Sequence, residues 1–290
     1  MQSPRVVVTG AAGMLGTALL SCVPSGWQVV GVDLEDGDIT ILEGARSAVA
    51  SHRPDAVIHC AAYTDVDGCT RDPDRAFRVN AQGTRNVARV CHGVGAFALV
   101  LSTDYVFDGA KGAPYTEADA PHPLNAYGES KLQGELWAAQ EHDRVLIVRT
   151  QWLYGPNGKN FPHTIVRLAR ERGVVRVVAD EWGSPTYTRD LAHRLWELVA
   201  LRPTGIVHCA NEGTCTWAEL ARTVLDAAGL AHVPVEPISW RDWPSPTRRP
   251  HFSALKSERL AELGLAPLRP WQEAAAEYAT EYLREAPETP

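Results

Sequence analysis

The sequence predicts an α/β fold: a Rossmann-type doubly wound parallel sheet with a smaller, interleaved α/β substrate domain in the C-terminal part. An apolar strand, RVVVTG, runs into a glycine-rich turn and an apolar-periodic helix. Strand and helix patterns then alternate through the first half of the chain. After Gly155 prolines separate shorter elements, although GIVHCA still has the pattern of a sheet strand. We therefore expect a dinucleotide-binding domain at 1–150, which regains a strand near 205–210, and a mainly substrate-binding domain at 151–290.

The first turn indicates a dinucleotide site. Gly10, Gly13 and Gly16 are spaced G-x-x-G-x-x-G between the strand and the helix, so the backbone can pass close to a pyrophosphate held at the helix N-terminus. A second strand, WQVVGVDLE, places Asp33 seventeen residues after Gly16. We expect Asp33 to accept hydrogen bonds from the adenosine ribose; the alternative is a solvated carboxylate at a strand end.

The segment VDLEDGDIT bears on the choice of cofactor. It contains no base and four acidic residues, Asp33, Glu35, Asp36 and Asp38. These carboxylates would repel a ribose 2'-phosphate, which favours NADH over NADPH. An arginine that folds in from elsewhere, such as Arg71 or Arg46, would reverse that preference.

Three further residues suggest catalysis. Tyr127 and Lys131 are four residues apart in AYGESKLQGE and share one face of a helix, so the ammonium would favour the phenolate. Thr103 ends the apolar run FALVLST, 24 residues before Tyr127. In a doubly wound sheet ligands bind beyond the carboxyl ends of the strands, where Gly10, Ala61, Thr103 and Trp152 are all expected.

Composition excludes several other classes of function. The chain has 290 residues, 45% hydrophobic and 22% charged, with a net charge of -7 and no basic run, so we expect no nucleic-acid binding. No apolar stretch reaches the roughly 18 residues of a membrane span, and the first strand leaves no room for a signal peptide, so we expect a cytoplasmic protein. The six cysteines form no C-x-x-C pair, which predicts reduced thiols and no zinc site. The EAPETP tail is expected to be frayed.

Nine motifs carry a family resemblance. In order and across nearly the whole chain, they resemble the extended short-chain dehydrogenase/reductases, and more narrowly the nucleotide-sugar reductases typified by dTDP-4-dehydrorhamnose reductase. The motifs are TGAAGMLG, CAAYTDVD, VNAQGT, STDYVFDG, YGESK, RTQWLYG, GKNF, GSPTY and RRPHFS.

The resemblance implies a reaction and its catalytic groups. A nicotinamide cofactor, NADPH or NADH, would reduce the C4 ketone of a dTDP-linked 4-keto-6-deoxyhexose. Tyr127 would be the general acid, Lys131 would lower its pKa and hold the nicotinamide ribose, and Thr103 would hydrogen-bond the ketone oxygen. The family positions that would bind the cofactor are Gly10, Gly13, Met14, Leu15, Asp33, Asp38, Ile39, Ala61, Ala62, Tyr63, Tyr127 and Lys131. Those that would bind the substrate are Thr103, Asp104, Tyr105, Tyr127, Trp152, Asn160 and Arg249.

Several of these positions have a purely structural alternative. Thr103 is also a residue type favoured at strand ends, and the AAY at 61–63 suits tight packing behind the sheet as well as cofactor contact. Trp152 would be either a lid over the nicotinamide and sugar or a core aromatic residue. Arg249 would pair with the nucleotide diphosphate or be solvated in its proline-rich loop, and Asn160 would contact the sugar or only cap a helix.

Other activities are known for proteins of this resemblance, and individual residues distinguish some of them. Sugar 4,6-dehydratases carry Asp then Glu after the threonine, whereas Asp104 is followed here by Tyr105, so elimination lacks its second carboxylate. A related 4-ketoreductase of antibiotic deoxysugar synthesis, of the dihydrostreptose or 6-deoxytalose type, is the main alternative. A nucleotide-sugar epimerase and a non-catalytic regulatory homologue, such as the β subunit of methionine adenosyltransferase, are the others.

Two departures from the family pattern affect these expectations. Gln151 stands where the family usually has serine or another small residue, which leaves the identity of the sugar open. Thr17 and Ala18 stand where some members use acidic residues to bind magnesium at a dimer interface. We therefore expect no metal, and the sequence does not decide between a monomer and a homodimer.

Overall fold

The computed structural model describes residues 3–284, so the predicted frayed tail at 285–290 lies outside the described residues. The strands are β1 Arg5–Thr9, β2 Gln28–Val32, β3 Ala56–His59, β4 Phe97–Thr103, β5 Val145–Thr150, β6 Leu153–Tyr154, β7 Val175–Val178, β8 Trp182–Gly183, β9 Thr186–Tyr187, β10 Gly205–His208, β11 Asn211–Glu212, β12 Cys215–Thr216, β13 Val235–Ile238 and β14 Leu268–Pro270. The helices are α1 Met14–Ser21, α2 Leu42–Val49, α3 Val66–Arg71, α4 Pro73–Ala76, α5 Thr84–Val94, α6 Ala126–Glu141, α7 Phe161–Arg172, α8 Thr188–Leu201, α9 Trp217–Ala227, α10 Arg259–Glu262 and α11 Trp271–Tyr278. Wider π-helical turns at Phe77–Gly83 and Ala279–Leu283 continue α4 and α11.

Six parallel strands form the central sheet in the order β10-β5-β4-β3-β1-β2. The chain leaves β1 for the edge strand β2 and then crosses back to β3, on the other side of β1. The order therefore reverses between β1 and β3, and ligands of doubly wound sheets bind at such a reversal, beyond the carboxyl ends of the strands. The predicted fold class agrees with this topology.

Both faces of the sheet are buried. Apolar side chains of the strands alternate between two cores, one covered by α1 and α8 and the other by α2, α5 and α6. All seven residues of β4 and all six of β5 are buried, as expected for central strands of a parallel sheet. Because these strands are packed on both faces, the side chains at their carboxyl ends are held in fixed positions.

The C-terminal part is interleaved with this sheet. β10 pairs in parallel with β5 and becomes the sixth strand, within the range where the pattern of GIVHCA predicts one. A further apolar core joins α7, α9 and α11 to the strand pair β7 and β13. Within residues 3–284 the structure contains no helix long and apolar enough to cross a membrane.

Candidate active site

The glycine turn lies at the reversal point of the sheet. Gly10 has a φ of +69°, and a Cβ on it would lie 2.7 Å from the backbone nitrogen of Ala61, which follows β3. The turn closes with a hydrogen bond from the Gly13 N–H to the Gly10 carbonyl at 3.1 Å. The Ala12 N–H donates to Asp33 Oδ2 at 3.0 Å, so the carboxylate after β2 also braces the turn. Only glycine meets both the backbone angle and the close approach at position 10.

A cavity of about 360 Å³ opens over this turn. Of the predicted cofactor positions, its lining includes Gly10, Gly13, Asp33, Asp38, Ile39, Ala61, Ala62 and Tyr63. Met14 and Leu15 are placed differently, because they begin α1. Leu15 is buried in the apolar core on one face of the sheet. Met14 packs against Gly158, since a Cβ added at Gly158 would lie 2.9 Å from the Met14 Cβ.

The same cavity contains a base that the local sequence does not show. Arg75 lines it, with the guanidinium carbon 4.4 Å from the centre of the Tyr63 ring. The two arginines suggested from the sequence pair elsewhere, Arg46 with Glu43 and Arg71 with Asp65. An arginine from elsewhere does reach the cavity that Asp33 lines, but it is Arg75 on α4 and not Arg46 or Arg71.

The three predicted catalytic residues meet at the carboxyl edge of the sheet. Thr103 ends β4 and is buried, and Tyr127 lies in the first turn of α6. Asn125 sets the start of that helix, because its Oδ1 accepts from the Gly128 N–H at 3.0 Å. The Thr103 hydroxyl lies near enough to the Tyr127 phenol to lower its pKa, while its own proton is donated to Asp104 Oδ1 at 3.0 Å. Lys131, one turn further on, is buried, and its Nζ donates to the Leu101 carbonyl at 2.6 Å.

Burial dominates the proton affinities of these groups. Removal from water raises the pKa of Tyr127, against the lowering effect of the neighbouring Thr103 hydroxyl. The Lys131 ammonium is bonded to the Leu101 carbonyl, so the lowering of the phenol pKa that was expected from Lys131 and a bound dinucleotide stays a prediction. Burial also lowers the pKa of Lys131 to about 8. At neutral pH the site thus holds a protonated phenol beside a lysine close to its titration point.

Asp104 and Tyr105 follow the catalytic threonine. Asp104 is buried and accepts from Thr103 Oγ1 at 3.0 Å and from Ser253 Oγ at 2.5 Å. Burial raises the pKa of Asp104 to about 7, and these hydrogen bonds oppose the rise. The Tyr105 ring packs edge-on against Tyr127, with ring centres 5.5 Å apart. Both residues therefore lie against the catalytic pair, and Asp104 links it to the C-terminal part of the chain.

A second, larger cavity of about 1020 Å³ lies in the C-terminal part. Its charged lining is mostly basic, and its aromatic lining is mostly indole. These residues are Arg176, Arg241, Arg248, Arg249, Glu181, Trp217, Trp240 and Trp243, and Phe161 and His251 line the cavity beside them. Guanidinium groups bind phosphates, and indole rings stack on planar bases. This cavity has the chemistry to bind a nucleoside diphosphate.

Arg249 connects the second cavity to the catalytic pair. Its Nη2 donates to Asp67 Oδ1 at 3.0 Å, and its charge acts on the neighbouring Tyr105. The start of α6 is bonded to the same loop, because Asn125 Nδ2 donates to the Arg248 carbonyl at 2.9 Å. Arg249 is therefore half-buried and ion-paired rather than freely solvated in its loop.

Trp152 and Asn160 do not appear among the described residues that line this cavity. The Trp152 ring stacks on Trp217 with centres 3.4 Å apart, and it abuts Gly183, so it lies behind a lining residue. Asn160 caps α7, with Oδ1 accepting from the His163 N–H at 2.9 Å and Nδ2 donating to the Gly155 carbonyl at 2.7 Å. Its position favours the helix-capping interpretation over sugar contact.

Gln151 follows β5, next to the register partner of Thr103. It is 3% exposed, and neither its Oε1 nor its Nε2 has a hydrogen-bond partner among the described residues. A buried amide without partners is costly, so such a group marks a place where a ligand or water binds.

Sequence reasoning assigned no role to two further features. Asn80 is buried in the π-helical turn; it accepts from the Tyr63 N–H at 2.8 Å and donates to the Tyr63 carbonyl and Ser130 Oγ, each at 3.0 Å. It therefore fixes the loop after β3 to α6, and its presence in VNAQGT was the available signal. The basic and aromatic lining between Trp240 and Arg248 is the other, and its signal was the density of Trp and Arg among the prolines.

One group of potential metal ligands is present in the described part of the chain. His92, His142 and Asp143 have ligand atoms within 4.8 Å of one another. The group lies where α6 ends before β5, at the amino edge of the sheet, away from Thr103 and Tyr127. Near the glycine turn, the Thr17 hydroxyl donates to the Met14 carbonyl within α1.

A parallel dinucleotide-type sheet with threonine, tyrosine and lysine at its carboxyl edge defines a short-chain dehydrogenase/reductase. The sequence model of the family described as RmlD substrate binding domain matches residues 4–284. A dTDP-4-dehydrorhamnose reductase of Streptomyces griseus is 42% identical, covering 94% of this chain and 92% of the relative. A dTDP-4-keto-6-deoxy-D-glucose reductase of Streptomyces niveus is 39% identical, covering 92% and 93%.

Solved structures agree with these relatives. The crystal structure of dTDP-4-dehydrorhamnose reductase from Bacillus anthracis in complex with NADP has a TM-score of 0.92 and 38% identity, and the match covers 95% of this chain and 98% of that one. This chain belongs to the dTDP-4-dehydrorhamnose reductase family. The predicted family, fold class and enzyme class, a nicotinamide-dependent sugar ketoreductase, are thereby confirmed.

Proposed function

We propose that this protein reduces the C4 ketone of a dTDP-4-keto-6-deoxyhexose, converting dTDP-4-dehydrorhamnose to dTDP-L-rhamnose with NADPH or NADH. The observation that carries the proposal is the meeting of Thr103, Tyr127 and Lys131 at the carboxyl edge of the sheet. Arg249 and Tyr105 link that point to the basic, indole-lined cavity. The names of the relatives supply the dTDP-sugar class of substrate.

The residues over β1 and β3 suit a dinucleotide. A side chain at position 10 would occupy the space between the turn and Ala61. The surrounding cavity is also lined by Asp33, Asp38 and Arg75. We assign the pyrophosphate to the turn at Gly10 and Gly13, and the adenosine to the end with Asp33 and Arg75. The bound cofactor would supply the hydride for reduction.

The proton comes from the protein. Tyr127 is protonated at neutral pH because burial raises its pKa, so its phenol donates to the ketone oxygen as negative charge develops there. The Thr103 hydroxyl donates to the same oxygen once it leaves Asp104. Lys131 holds the nicotinamide ribose with its ammonium. Under this proposal residues 1–150 with β10 carry the cofactor, and most of 151–290 carries the sugar nucleotide.

The second cavity accounts for the nucleotide part of the substrate. Its four arginines oppose a single glutamate, so the net charge attracts a diphosphate. The indole rings of Trp217, Trp240 and Trp243 provide faces for a pyrimidine. We place dTDP there. The sugar then points toward Tyr105 and Tyr127, which agrees with the roles proposed for Asp104 and Arg249.

Gln151 favours a second candidate, a related 4-ketoreductase with a different 4-keto-6-deoxyhexose. Its amide is buried and has no hydrogen-bond partner within residues 3–284, where the family usually has serine or another small residue, and one relative is named for a different keto-sugar. A longer polar group at that position would form hydrogen bonds with a different arrangement of hydroxyl groups on the sugar.

One assay separates the two candidates. The protein is given NADPH or NADH with dTDP-4-keto-6-deoxy-L-lyxo-hexulose generated in place, and the product is identified by NMR. Cofactor consumption with a rhamnose product supports the first candidate. Consumption only with a C4 ketone of other stereochemistry supports the second, and in that case Gln151→Ser should weaken the preference. Tight cofactor binding with no reduction of any keto-sugar would contradict both.

Two further expectations belong to the proposal. The cytoplasmic location predicted from the sequence is tested by cell fractionation. Sedimentation of the purified protein decides between monomer and homodimer.

A further inference from the structure

Three consecutive residues at the end of β4 meet three residues of α6 that are four apart. The Thr103 hydroxyl lies beside the Tyr127 phenol and lowers its pKa, the Leu101 carbonyl accepts from Lys131 Nζ at 2.6 Å, and Ser102 Oγ donates to Glu135 Oε1 at 2.5 Å. Residues i, i+4 and i+8 share one helical face, so α6 presents an acid, a base and a carboxylate in a row to one strand end.

The third member of the row is fixed more firmly than the others. Arg149 on β5 clamps Glu135 with two bonds, Nε to Oε1 at 3.0 Å and Nη2 to Oε2 at 2.7 Å. Both side chains are buried, at 2% and 4% exposure. The guanidinium carbon also lies 5.2 Å from the centre of the Phe107 ring. A bidentate pair with an aromatic support has little freedom to move, so the charge of Glu135 stays at a constant place.

The protonated form of Lys131 depends on a negative charge nearby. Burial lowers its pKa to about 8, and the Glu135 carboxylate is the first group that opposes this effect, followed by the Cys60 thiol. His59 on β3 also feels the lysine charge, but burial lowers its pKa to about 3, so it is neutral and gives no repulsion. Tyr127 is protonated and uncharged. Glu135 is thus the anion on α6 that favours the ammonium, while Arg149 partly cancels it.

We propose that Glu135 is a positioning residue for the reaction: its carboxylate, clamped by Arg149 and Ser102, keeps Lys131 protonated and in place to hold the nicotinamide ribose. The inference rests on the proposed function and deepens it. The carboxylate touches neither substrate nor cofactor in this role, because it acts through the lysine one turn earlier. A simple structural ion pair between α6 and β5 would stabilise the fold without any effect on the charge of Lys131.

The pH dependence of cofactor binding distinguishes the two roles. In the wild-type protein, NADPH affinity measured by nicotinamide fluorescence should fall as Lys131 loses its proton, with a midpoint near pH 8. Glu135→Gln keeps the shape but removes the charge, so the midpoint should move down by about one pH unit; affinity then falls about twofold at the new midpoint and approaches a loss of about tenfold only above the wild-type midpoint. The alkaline limb of kcat/KM should move with it.

Matched variants keep the test independent of folding. Glu135→Asp retains the charge and should restore the wild-type midpoint, even where it lowers the melting temperature. If Glu135→Gln alone fails to fold, Glu135→Gln with Arg149→Met removes the stranded guanidinium, and that pair should also bind with a lowered midpoint. Lys131→Met should abolish the midpoint in every background.

The outcomes separate this inference from the proposed function. A lowered midpoint for Glu135→Gln supports the inference, even if no keto-sugar is reduced and the proposed reaction fails. An unchanged midpoint in a folded Glu135→Gln protein that still reduces the keto-sugar overturns the inference alone and leaves a structural ion pair.

Discussion

Replacement of Gly10 by alanine tests the dinucleotide turn by its steric requirement. The residue has a φ of +69°, a region that costs an alanine about 1 to 2 kcal/mol. The new Cβ would also lie 2.7 Å from the Ala61 nitrogen and 2.8 Å from its Cα, which are backbone atoms that cannot rotate away. Overpacking of this kind costs about 1 to 3 kcal/mol, so Gly10→Ala should lower the free energy of unfolding by about 2 to 5 kcal/mol.

Gly26 offers a matched control. Its φ is +80°, and a Cβ there would meet no atom within 4 Å. Gly26→Ala should therefore cost only the backbone strain, about 1 to 2 kcal/mol. Urea unfolding of both variants gives the difference, and NADPH titration followed by fluorescence gives the effect on the site.

We expect Gly10→Ala to lose cofactor affinity by about tenfold or more, because the turn must shift away from Ala61, while Gly26→Ala keeps wild-type affinity. Equal unfolding free energies for the two variants would refute the steric argument. Unchanged cofactor affinity in a folded Gly10→Ala protein would refute the assignment of the pyrophosphate to this turn.

The remaining predictions concern single groups in and around the two cavities. Tyr127→Phe should lower kcat by about 10²-fold or more with little change in cofactor affinity, and wild-type turnover would exclude this phenol as the acid. Arg75→Gln should reduce the ratio of kcat/KM for NADPH to that for NADH, whereas an unchanged ratio would show that this guanidinium does not meet the 2'-phosphate. For Asp104, burial raises the pKa to about 7, so the folded state favours the protonated acid; stability from this group is present at acid pH and declines as pH rises from about 4 toward 7. Thermal unfolding of Asp104→Asn across that range should show a flatter pH profile than the wild type, and an equally steep profile would assign the dependence to other groups. Asn160→Ala should cost about 1 kcal/mol of stability through the lost helix cap with no change in KM for the sugar, and a raised KM in an equally stable protein would restore its predicted substrate contact.

Local sequence was sufficient for much of the fold and for the choice of Thr103, Tyr127 and Lys131 as candidate catalytic residues. The strand, glycine turn and helix at 5–21 follow from apolar periodicity and from the conformations that only glycine adopts. The spacing of Tyr127 and Lys131 places both on one face of α6 wherever that helix packs. The pattern of GIVHCA was enough to predict one more sheet strand, whereas only the structure shows that this strand lies at the edge beside β5.

Interactions between distant segments decided the rest. Arg75 reaches the cavity over the glycine turn because α4 packs beside the loop after β3, and the sequence around Asp33 gives no sign of this arginine. Asn160 was identified from its motif, but the hydrogen bonds that make it a helix cap became visible only in the folded chain. The basic, indole-lined cavity gathers residues from α7 to the loop at 240–251, and each segment alone resembles an ordinary surface.

The sequence by itself therefore determined which elements form and which residues are candidates for the chemistry, because helix and strand periods are short-range properties of the chain. Tertiary structure alone decided the electrostatics of the site. Burial raised the pKa of Tyr127, where the local spacing with Lys131 predicted a fall, and it placed Glu135 and Arg149 in a buried pair behind that lysine. Desolvation depends on everything that packs around a group, and that packing comes from segments far apart in the chain.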